Sequence, residues 1–424
     1  MTHLQKTADA RALGLSLFQT AIEAADPKAA LIRAIEAHPL PPCAPTGRLY
    51  VIALGKAAAP MARTFQAAVG AQTIFQMIVV TNPENACTLN GAEVLTTSHP
   101  LPSQAGADAA IKVEAMLEQA GPQDQVVALI SGGGSALLPA PKVGISLADK
   151  IIVNALLLAK GFDIRQINLI RQALSRLKGG GMLRIAAPTP VTAFILSDVI
   201  GDDLAVIASG PTVAPIGKAT DAIALLQNAR LWEKIPFSVK QVLKASQTAL
   251  ERLPSAKNIL IASNWTALAA MRAACPIKAT IICNNLVGDV QNAAQTILKA
   301  AEIWDGNSPT ALIFGGETTV TLRGTGMGGR NQELALRIAQ AHSALPQNFA
   351  FISGGTDGRD GPTDSAGGIV DAGSWARIAK AGGDPTALLA NNDSYQALSL
   401  SQDLLFTKTT GTNVADVQVL ILIP

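Results

Sequence analysis

The sequence has little of what several protein classes require. Its 424 residues include only four cysteines, which show no Cys-x-x-Cys spacing and no nearby histidine pair. This argues against a zinc site and a disulfide framework, and it fits a reducing compartment. Aromatic residues make up 4% of the chain, too few for the stacking surfaces of a single-stranded nucleic-acid binder. No apolar run reaches the roughly 18 residues that a membrane-spanning helix needs.

Charge is equally scarce. Charged residues make up 15% of the chain and the formal net charge is +2, so we expect neither nucleic acid nor a membrane as a partner. The first residues, MTHLQKTADARALGLSLFQ, lack the basic start and apolar core of a signal peptide, and we expect a cytoplasmic protein. What the chain does contain is 49% hydrophobic residues and 36 glycines, a composition typical of a large α/β enzyme with well-buried strands.

Seven short apolar runs end abruptly at glycine, serine, asparagine or aspartate, and most precede a helix-like segment. They span residues 49–56, 126–135, 191–198, 258–264, 279–285, 310–317 and 349–358. Each run has the length of a buried strand. Because ligands bind beyond the carboxyl ends of strands in open parallel sheets, these small polar residues predict a functional site. Any one of the turns, taken alone, fits an ordinary strand-to-helix connection equally well.

The chain is too long for one ordinary core, so we expect two α/β domains. Residues 214–255 predict two helices without a strand, which places the domain boundary in that region. We set the N-terminal domain at residues 1–235 and the C-terminal domain at residues 236–424. The helical stretch at residues 8–38 fits against either domain.

Residues 162–183, FDIRQINLIRQALSRLKGGGML, predict a helix with a cationic stripe. Asp163 and Gln166 form a capping-box pattern at its start. Apolar residues recur at every third or fourth position and form one face of the helix. The residues that directly follow them are polar and form an adjacent face. The apolar positions are Ile167, Ile170, Leu174 and Leu177, and the polar ones are Asn168, Arg171, Ser175 and Lys178. The stripe is compatible with an anion-binding surface and equally with an ordinary solvated face.

Two glycine-rich turns suit the approach of an anion to the backbone. One follows Lys178 and contains Gly179, Gly180 and Gly181, where no Cβ blocks the main chain. The other is LISGGGSALLPAP at residues 129–141, which follows a predicted strand. Its free amides would bind a phosphate or carboxylate at a helix start. The residues concerned are Ser131, Gly132, Gly133, Gly134 and Ser135. The chain has no G-x-x-x-x-G-K-[ST] pattern, so a P-loop is excluded.

Carboxylates cluster near these glycines and indicate a divalent metal. They are Asp198, Asp202, Asp203, Glu317, Asp357, Asp360 and Asp364. Mg²⁺ prefers one or two carboxylates together with substrate phosphates and water. The segment DGRDGPTD at residues 357–364 also fits a plain turn-rich loop or a calcium loop. The calcium alternative lacks the closing glutamate that such loops carry at position 12.

The segment TVTLRGTGMGGRNQE at residues 319–333 contains the G-x-G-x-x-G pattern of dinucleotide-binding proteins. That fingerprint needs an acid about 20 residues further on to hold the ribose, and residues 343–350 contain none. Arg330 directly follows the glycines and instead suggests a clamp for phosphate oxygens. The four histidines give no defensible Ser-His-Asp order, and His99 in SHPLP reads as a turn.

Taken together, these segments resemble the class II glycerate kinases (glycerate 2-kinases), whose C-terminal part is the MOFRL domain. The resemblance covers the chain nearly end to end. Its motifs lie at residues 53–62, 98–103, 130–141, 167–183, 196–212, 314–336, 352–371 and 410–422. One departure is Gln172-Ala173, where the family usually has Lys-His. It puts only secondary contacts in doubt, since Arg171, Ser175 and Lys178 are retained.

The resemblance implies two three-layer α/β/α domains. The N-terminal domain would be Rossmann-like with a mostly parallel sheet, and the C-terminal one would have a mixed sheet and contain the MOFRL region at about residues 308–420. It also implies ATP-dependent phosphorylation of D-glycerate at its 2-hydroxyl, in an interdomain cleft and with Mg²⁺ or another divalent cation. The alternatives are an NAD(P)H-dependent hydroxypyruvate reductase, a name that family members often carry, and a non-catalytic sugar-phosphate-binding module. The oligomeric state is open, and a homo-oligomer is compatible with the sequence.

The resemblance also suggests roles for individual residues. Lys56 matches the family's key lysine and would stabilise the transferring phosphoryl group. Asp198 would take the proton of the 2-hydroxyl or orient it, and Arg171 with Lys178 would hold the carboxylate or the phosphates. Glu317 and Asp357 are the candidate metal ligands. The substrate and nucleotide would be bound by Ser131, Gly132, Gly133, Gly134, Ser135, Gly179, Gly180, Gly326, Gly328, Gly329, Arg330 and Asn331.

Overall fold

The structure is a computed structural model that describes residues 2–246, 253–408 and 410–424. Its helices, in chain order, are α1 (His3–Ala24), α2 (Pro27–Ala37), α3 (Ala58–Val69), α4 (Gln104–Gln119), α5 (Gly134–Leu137), α6 (Leu147–Ala159), α7 (Ile164–Ala173), α8 (Gly181–Ala186), α9 (Ala219–Asn228), α10 (Phe237–Ala245), α11 (Asn264–Ala274), α12 (Val290–Ala301), α13 (Arg330–Gln340), α14 (Ser374–Lys380), α15 (Pro385–Ala390) and α16 (Ser394–Leu400). Within these residues, no helix is both long and apolar enough to span a bilayer.

The strands form two sheets in the described part of the chain. They are β1 (Leu49–Leu54), β2 (Ile74–Thr81), β3 (Glu93–Thr96), β4 (Gln125–Ile130), β5 (Val191–Leu196), β6 (Ala256–Ala262), β7 (Lys278–Asp289), β8 (Thr310–Thr319), β9 (Asn348–Gly355), β10 (Gly367–Asp371), β11 (Leu404–Leu405) and β12 (Asp416–Ile423). One sheet is parallel, with the order β3-β2-β1-β4-β5-β6. The other is mixed, with the order β11-β10-β9-β12-β8-β7; in it, β7 and β8 pair in parallel and β12 pairs antiparallel with β8 and β9.

The chain folds into two compact units. The N-terminal unit comprises Ala30–Ser197 and Asp202–Ile261, and the C-terminal unit comprises Met1–Ala29, Asp198–Gly201 and Ala262–Pro424. The units divide at Ile261, whereas the sequence placed a domain boundary at 235/236. The described residues in between include α10 and most of β6, and their contacts assign them to the N-terminal unit.

The parallel sheet forms because its central strands are apolar on both faces. The segments LYVIAL in β1, QVVALI in β4 and VTAFIL in β5 are almost entirely buried, as expected for strands covered by helices on each side. At its carboxyl edge, Leu54 of β1 lies beside Val80 of β2 and Ile130 of β4. The turns that follow β1 and β4 therefore start next to each other.

The mixed sheet of the C-terminal unit carries α1 on one face. Leu17, Phe18 and Ala21 of this helix are buried. Gly14 permits the close packing, because a Cβ at this position would lie 2.0 Å from Ile352 Cδ1 in β9. The first helix thus belongs to the C-terminal unit, a question that the sequence left open.

The predicted fold class is confirmed: both units are α/β, one with a parallel sheet and one with a mixed sheet. All seven predicted strands are present, and residues 214–255 hold α9 and α10 with no strand in their described part. The strands β2, β3, β10, β11 and β12 were not among those predicted.

The predicted cationic stripe is wrong in one respect. The capping box of Asp163 and Gln166 is present, but α7 ends at Ala173. Beyond it, Arg176 N donates to Ala140 O and Ser175 forms a bridge with Pro141. Since this pairing replaces the helical hydrogen bonds, Ser175 and Lys178 do not continue the face of the helix.

Candidate active site

In the N-terminal unit, the turns after β1 and β4 are bound to each other. Lys56 N donates to Gly132 O at 2.9 Å, and Ala57 N donates to Ser131 Oγ at 3.0 Å. Gly55 has φ +121°, and a Cβ there would lie 2.3 Å from Ser131 Oγ, so this close approach requires glycine. The predicted lysine and the predicted glycine turn therefore form one local structure at the carboxyl edge of the parallel sheet.

His99, which the sequence indicated only as part of a turn, also lies at this edge. A Cβ on Gly133 would lie 3.2 Å from His99 Cδ2 and 3.3 Å from Lys56 Cγ, so the bare glycine lies against both side chains. Burial lowers the pKa of His99, and the positive charge of Lys56 lowers it further against the opposing effect of Glu84. Burial and the charge of Lys56 thus favour the neutral imidazole at this position. Its position inside the family-like SHPLPS motif was the one available signal.

A chain of hydrogen bonds extends from the glycine turn towards α7. Lys178 Nζ donates to both the carbonyl and the hydroxyl oxygen of Ser135. The hydroxyl of Ser135 bonds that of Ser209 at 2.8 Å, and Ser209 donates to Asn168 Oδ1 at 2.6 Å. Burial, followed by the charges of nearby cations, lowers the pKa of Lys178 well below its usual value. Burial therefore opposes the positive charge of Lys178, whose hydrogen-bond acceptors are neutral oxygens.

The other predicted anion-binding groups of this unit have protein partners. Arg171 Nε donates to Asn154 Oδ1 at 3.0 Å. The amides of Gly179 and Gly180 donate to Ser209 O at 3.1 Å and to Gly210 O at 2.9 Å. The structure therefore places Arg171 and Lys178 on adjoining segments, and it gives the two glycine amides acceptors inside the protein.

In the C-terminal unit, Arg330 at the start of α13 binds acids. It forms a two-bond fork with Asp416, and its Nη1 lies 3.2 Å from Glu317 Oε1. Burial lowers the pKa of Arg330, but the hydrogen bonds and negative charge of Asp416 outweigh that effect and raise it. Asp416, which the sequence analysis did not single out, is thus the main partner of the predicted phosphate clamp.

The acids of this unit interact with one another. Burial raises the pKa of Glu317; Arg330 opposes the increase, and the charges of Asp416, Asp198 and Asp357 add to it. Repulsion of this kind is relieved by a bound cation, and carboxylates are the donors that Mg²⁺ takes. The donor chemistry therefore fits Mg²⁺, although no group of three or more metal-binding side chains is in place among the described residues.

The glycine loop before α13 approaches acceptors of the protein itself. Gly324 and Thr325 donate their amides to Asn392 and Asn391, and Met327 N donates to Asp393 Oδ1 at 3.2 Å. Gly326 N donates to Asn391 O at 3.0 Å. A Cβ on Gly326 would lie 2.6 Å from that oxygen and 2.5 Å from Asp393 Cβ. Gly326 is thus required for close packing on residues 391–393.

Asp360 caps α13 at the position where a phosphate lies in dinucleotide-binding folds. Its two carboxylate oxygens accept hydrogen bonds from the amides of Asn331 (3.1 Å) and Gln332 (2.8 Å). A Cβ on Gly329 would lie 2.2 Å from the Asp360 carboxyl carbon. Burial raises the pKa of Asp360 to about 6. Phosphate binding by residues 326–331 stays a prediction, and it would have to displace these internal acceptors.

The sheets and these side chains define a class: an α/β enzyme with buried cations in one unit and an acid cluster in the other. Comparison with known proteins identifies the family within this class. A family model described as a domain of unknown function, DUF4147, matches residues 14–244, and the MOFRL family model matches residues 310–416. The chain is 37% identical to a glycerate 2-kinase of Pyrococcus horikoshii over 97% of both chains.

Two further relatives also match nearly the whole chain. A protein of Agrobacterium vitis, provisionally named a hydroxypyruvate reductase, is 39% identical over 96% of this chain and 93% of its own. The crystal structure of a glycerate kinase from Thermotoga maritima superposes with a TM-score of 0.90 at 34% identity, covering 98% of this chain and 100% of that one. The chain therefore belongs to the glycerate kinase family that combines DUF4147 with MOFRL, as the sequence motifs indicated.

Proposed function

We propose that the protein is an ATP-dependent glycerate 2-kinase that converts D-glycerate to 2-phosphoglycerate. Membership of the family makes it a kinase that acts on an alcohol group, and the glycerate kinase names of relatives that match nearly the whole chain support glycerate as the acceptor. The observation that carries the proposal is the joined pair of turns that holds Lys56 against the glycines after β4. Such a group suits phosphoryl transfer, where catalysis is mostly positioning and neutralisation of charge.

In the proposed reaction, the 2-hydroxyl oxygen of glycerate attacks the γ-phosphorus of ATP, the bond to the bridging oxygen breaks, and ADP leaves. Lys56 neutralises charge that develops on the transferred group. Asp198 accepts the hydroxyl proton as general base. Glu317 and Asp357 would hold Mg²⁺, which when bound neutralises phosphate oxygens.

The remaining roles concern binding. Arg171 and Lys178 would bind the carboxylate of glycerate or a phosphate, because buried cations held only by neutral oxygens favour an anionic partner. The glycine turns at residues 131–135, 179–180 and 326–331 are proposed to bind substrate or nucleotide. A cytoplasmic location, and the absence of nucleic-acid and membrane partners, are likewise proposals that rest on the sequence, and a homo-oligomer stays compatible with it.

The test is an assay of the purified protein with ATP, Mg²⁺ and D-glycerate. Enolase acts on 2-phosphoglycerate and not on the 3-phosphate, so phosphoenolpyruvate formed directly after addition of enolase identifies the predicted product. Product that enolase converts only after a mutase is added would move the phosphate to the 3-hydroxyl. Oxidation of NADH or NADPH with hydroxypyruvate, without release of ADP from ATP and glycerate, would establish the reductase instead. Ligand binding with neither turnover would establish a non-catalytic module.

A further inference from the structure

Lys150 is a buried cation that none of the roles above uses. It lies on α6, and only 9% of the residue is exposed. Its Nζ donates to Pro139 O at 2.6 Å and reaches Leu174 O at 3.5 Å. The first carbonyl lies in the segment that follows the glycine turn and α5, and the second belongs to the residue that directly follows α7. The ammonium thus links the two segments that carry Ser135 and Arg171.

Lys150, Arg171 and Lys178 together form a cluster that we call the cation cluster. In the part of the chain that the structure describes, the hydrogen-bond acceptors of these three side chains are neutral oxygens of Pro139, Leu174, Asn154 and Ser135. Arg176, whose charge also acts on Lys150, is paired with Glu114 at 2.8 Å. Three basic side chains are therefore buried together without an acid of their own, and their charged forms are costly unless an anion is bound nearby.

The ionisation of the cluster agrees with this geometry. Burial lowers the pKa of Lys150 to about 7, and the charges of Arg171 and Arg176 contribute. Burial also lowers the pKa of Lys178, with Lys150 and Arg171 as the next causes. The charged groups that act on Lys150, namely Arg171 and Arg176, are thus cations.

We propose that Lys150 is the third member of an anion-binding cluster and positions Arg171 and Lys178 for the carboxylate or phosphate of the substrate. The inference rests on the proposed function, in which Arg171 and Lys178 bind that anion. Lys150 acts by holding the two segments together and by adding charge to the cluster, and it is not a catalytic residue.

The proposal predicts that binding of an anion takes up protons. An anion near the cluster raises the pKa of Lys150. At about pH 8, Lys150 of the free protein is mostly neutral, because its pKa is about 7, and it gains a proton when the anion binds. At about pH 6 it is already charged, and its uptake should be small. A purely structural lysine would show no such linkage.

The experiment is titration calorimetry of the whole protein with D-glycerate at both pH values, in buffers of different ionisation enthalpy. The variant is Lys150→Met, which keeps the length of the side chain without its charge. Lys160→Met, at the exposed end of the same helix, is the matched control. We expect wild type and Lys160→Met to take up protons at about pH 8. Lys150→Met should bind about tenfold more weakly or worse, with clearly reduced uptake and a KM for glycerate that rises more than kcat falls.

A third variant keeps the test decisive if Lys150→Met does not fold. Lys150→Arg retains a permanent charge and should bind D-glycerate with near-wild-type affinity but with reduced proton uptake. Wild-type affinity and uptake in Lys150→Met, or undiminished uptake in Lys150→Arg, would overturn the proposal. So would a Lys150→Met protein with lower thermal stability but unchanged KM.

Inorganic phosphate, used as a second probe, separates this proposal from the kinase assignment. Phosphate binding with uptake that depends on Lys150, in a protein that does not phosphorylate glycerate, would support the cation cluster and remove the proposed function. Turnover of glycerate with no dependence of affinity or uptake on Lys150 would do the reverse. A wild-type protein that binds neither probe would overturn the cluster.

Discussion

Arg330 and Asp416 meet in a planar fork, with Nε donating to Oδ2 at 2.6 Å and Nη2 donating to Oδ1 at 2.9 Å. The Asp416 side chain is fully buried. The pair ties the first residue of α13 to the first residue of β12, while Glu317 of β8 provides a third contact. Since the Nε–Nη2 edge of its guanidinium is engaged by a buried acid, Arg330 stabilises the C-terminal unit whether or not it also contacts phosphate.

Replacing this arginine should destabilise the protein strongly. Arg330→Met leaves the buried carboxylate of Asp416 without its partner, and we expect the free energy of unfolding to fall by about 3–5 kcal/mol. Urea denaturation measures this change. Arg323→Met, in the exposed part of the preceding loop, should cost less than about 0.5 kcal/mol. A loss in Arg330→Met no larger than in this control would show that the fork contributes little.

Asp360 should make stability depend on pH in the opposite sense to most aspartates. Its pKa is raised from 3.8 in the unfolded chain to about 6 in the folded one, so the native state binds more protons between these values. The free energy of unfolding contributed by this group is therefore largest below about pH 4 and falls as the pH rises to about 6, by about 3 kcal/mol in total.

Asp360→Asn should remove that decline. The comparison is the change in unfolding free energy between about pH 4 and pH 7, measured by urea denaturation for wild type, Asp360→Asn and the exposed control Asp305→Asn. The asparagine also loses one charge-assisted cap of α13, which shifts its stability at every pH but adds no slope. Identical slopes in wild type and Asp360→Asn would refute the raised pKa.

How much the sequence could predict depends on whether a feature is local. Runs such as residues 126–135 combine an apolar strand with a polar end, and the structure has a strand in each of them. In residues 126–135 this strand is β4. β12 was missed because it ends without such a turn, although DVQVLILI is a long apolar run. The end of α7 was mispredicted for another reason. The apolar spacing continues through Leu177, and only pairing with residues 140–142 stops the helix.

The residues of the candidate site also differ in whether the local sequence indicates them. The glycines at residues 132–134 carry a local pattern, so the sequence could propose them, and Lys56 was proposed from the family resemblance. His99 and Lys150 acquire their environment from segments distant in the chain, and no spacing rule indicates a lone histidine or a helical lysine. The glycines before α13 form a recognisable phosphate pattern, yet in the structure Asp360 occupies the helix start. A carboxylate from a distant part of the chain can thus accept the same amide hydrogen bonds that a phosphate would.

Gly133 should be required for activity more than for stability. It has φ +84°, and a Cβ there would lie 3.2 Å from His99 Cδ2 and 3.3 Å from Lys56 Cγ, so both side chains would have to shift slightly. Gly161 has φ +74°, and a Cβ there would meet nothing within 4 Å, so Gly161→Ala reports the backbone cost alone, about 1 kcal/mol. We expect similar losses of unfolding free energy in both variants, but a fall in kcat of about tenfold or more only in Gly133→Ala. Equal turnover in the two would show that the contact does not matter.

Lys56 should be essential for turnover and dispensable for folding. Lys56→Met removes the charge that we assign to the transferring phosphoryl group, and kcat should fall by about three powers of ten. Thermal melting and size-exclusion elution should match wild type, because the backbone bond from Lys56 N to Gly132 O does not involve the side chain. Turnover near the wild-type value in a folded Lys56→Met protein would remove this residue from its role.

Asp198→Asn tests the proposed base through the pH–rate profile. A carboxylate that accepts the proton of the 2-hydroxyl must be ionised, so wild-type kcat/KM should fall on the acid side of the profile. The amide cannot accept that proton, and we expect the variant to lose about two to four powers of ten in kcat together with that acid limb. The charge of Asp198 also acts on Glu317, so the Mg²⁺ concentration for half-maximal rate is measured in parallel. A changed Mg²⁺ requirement with an intact acid limb would assign Asp198 to the metal instead of the proton.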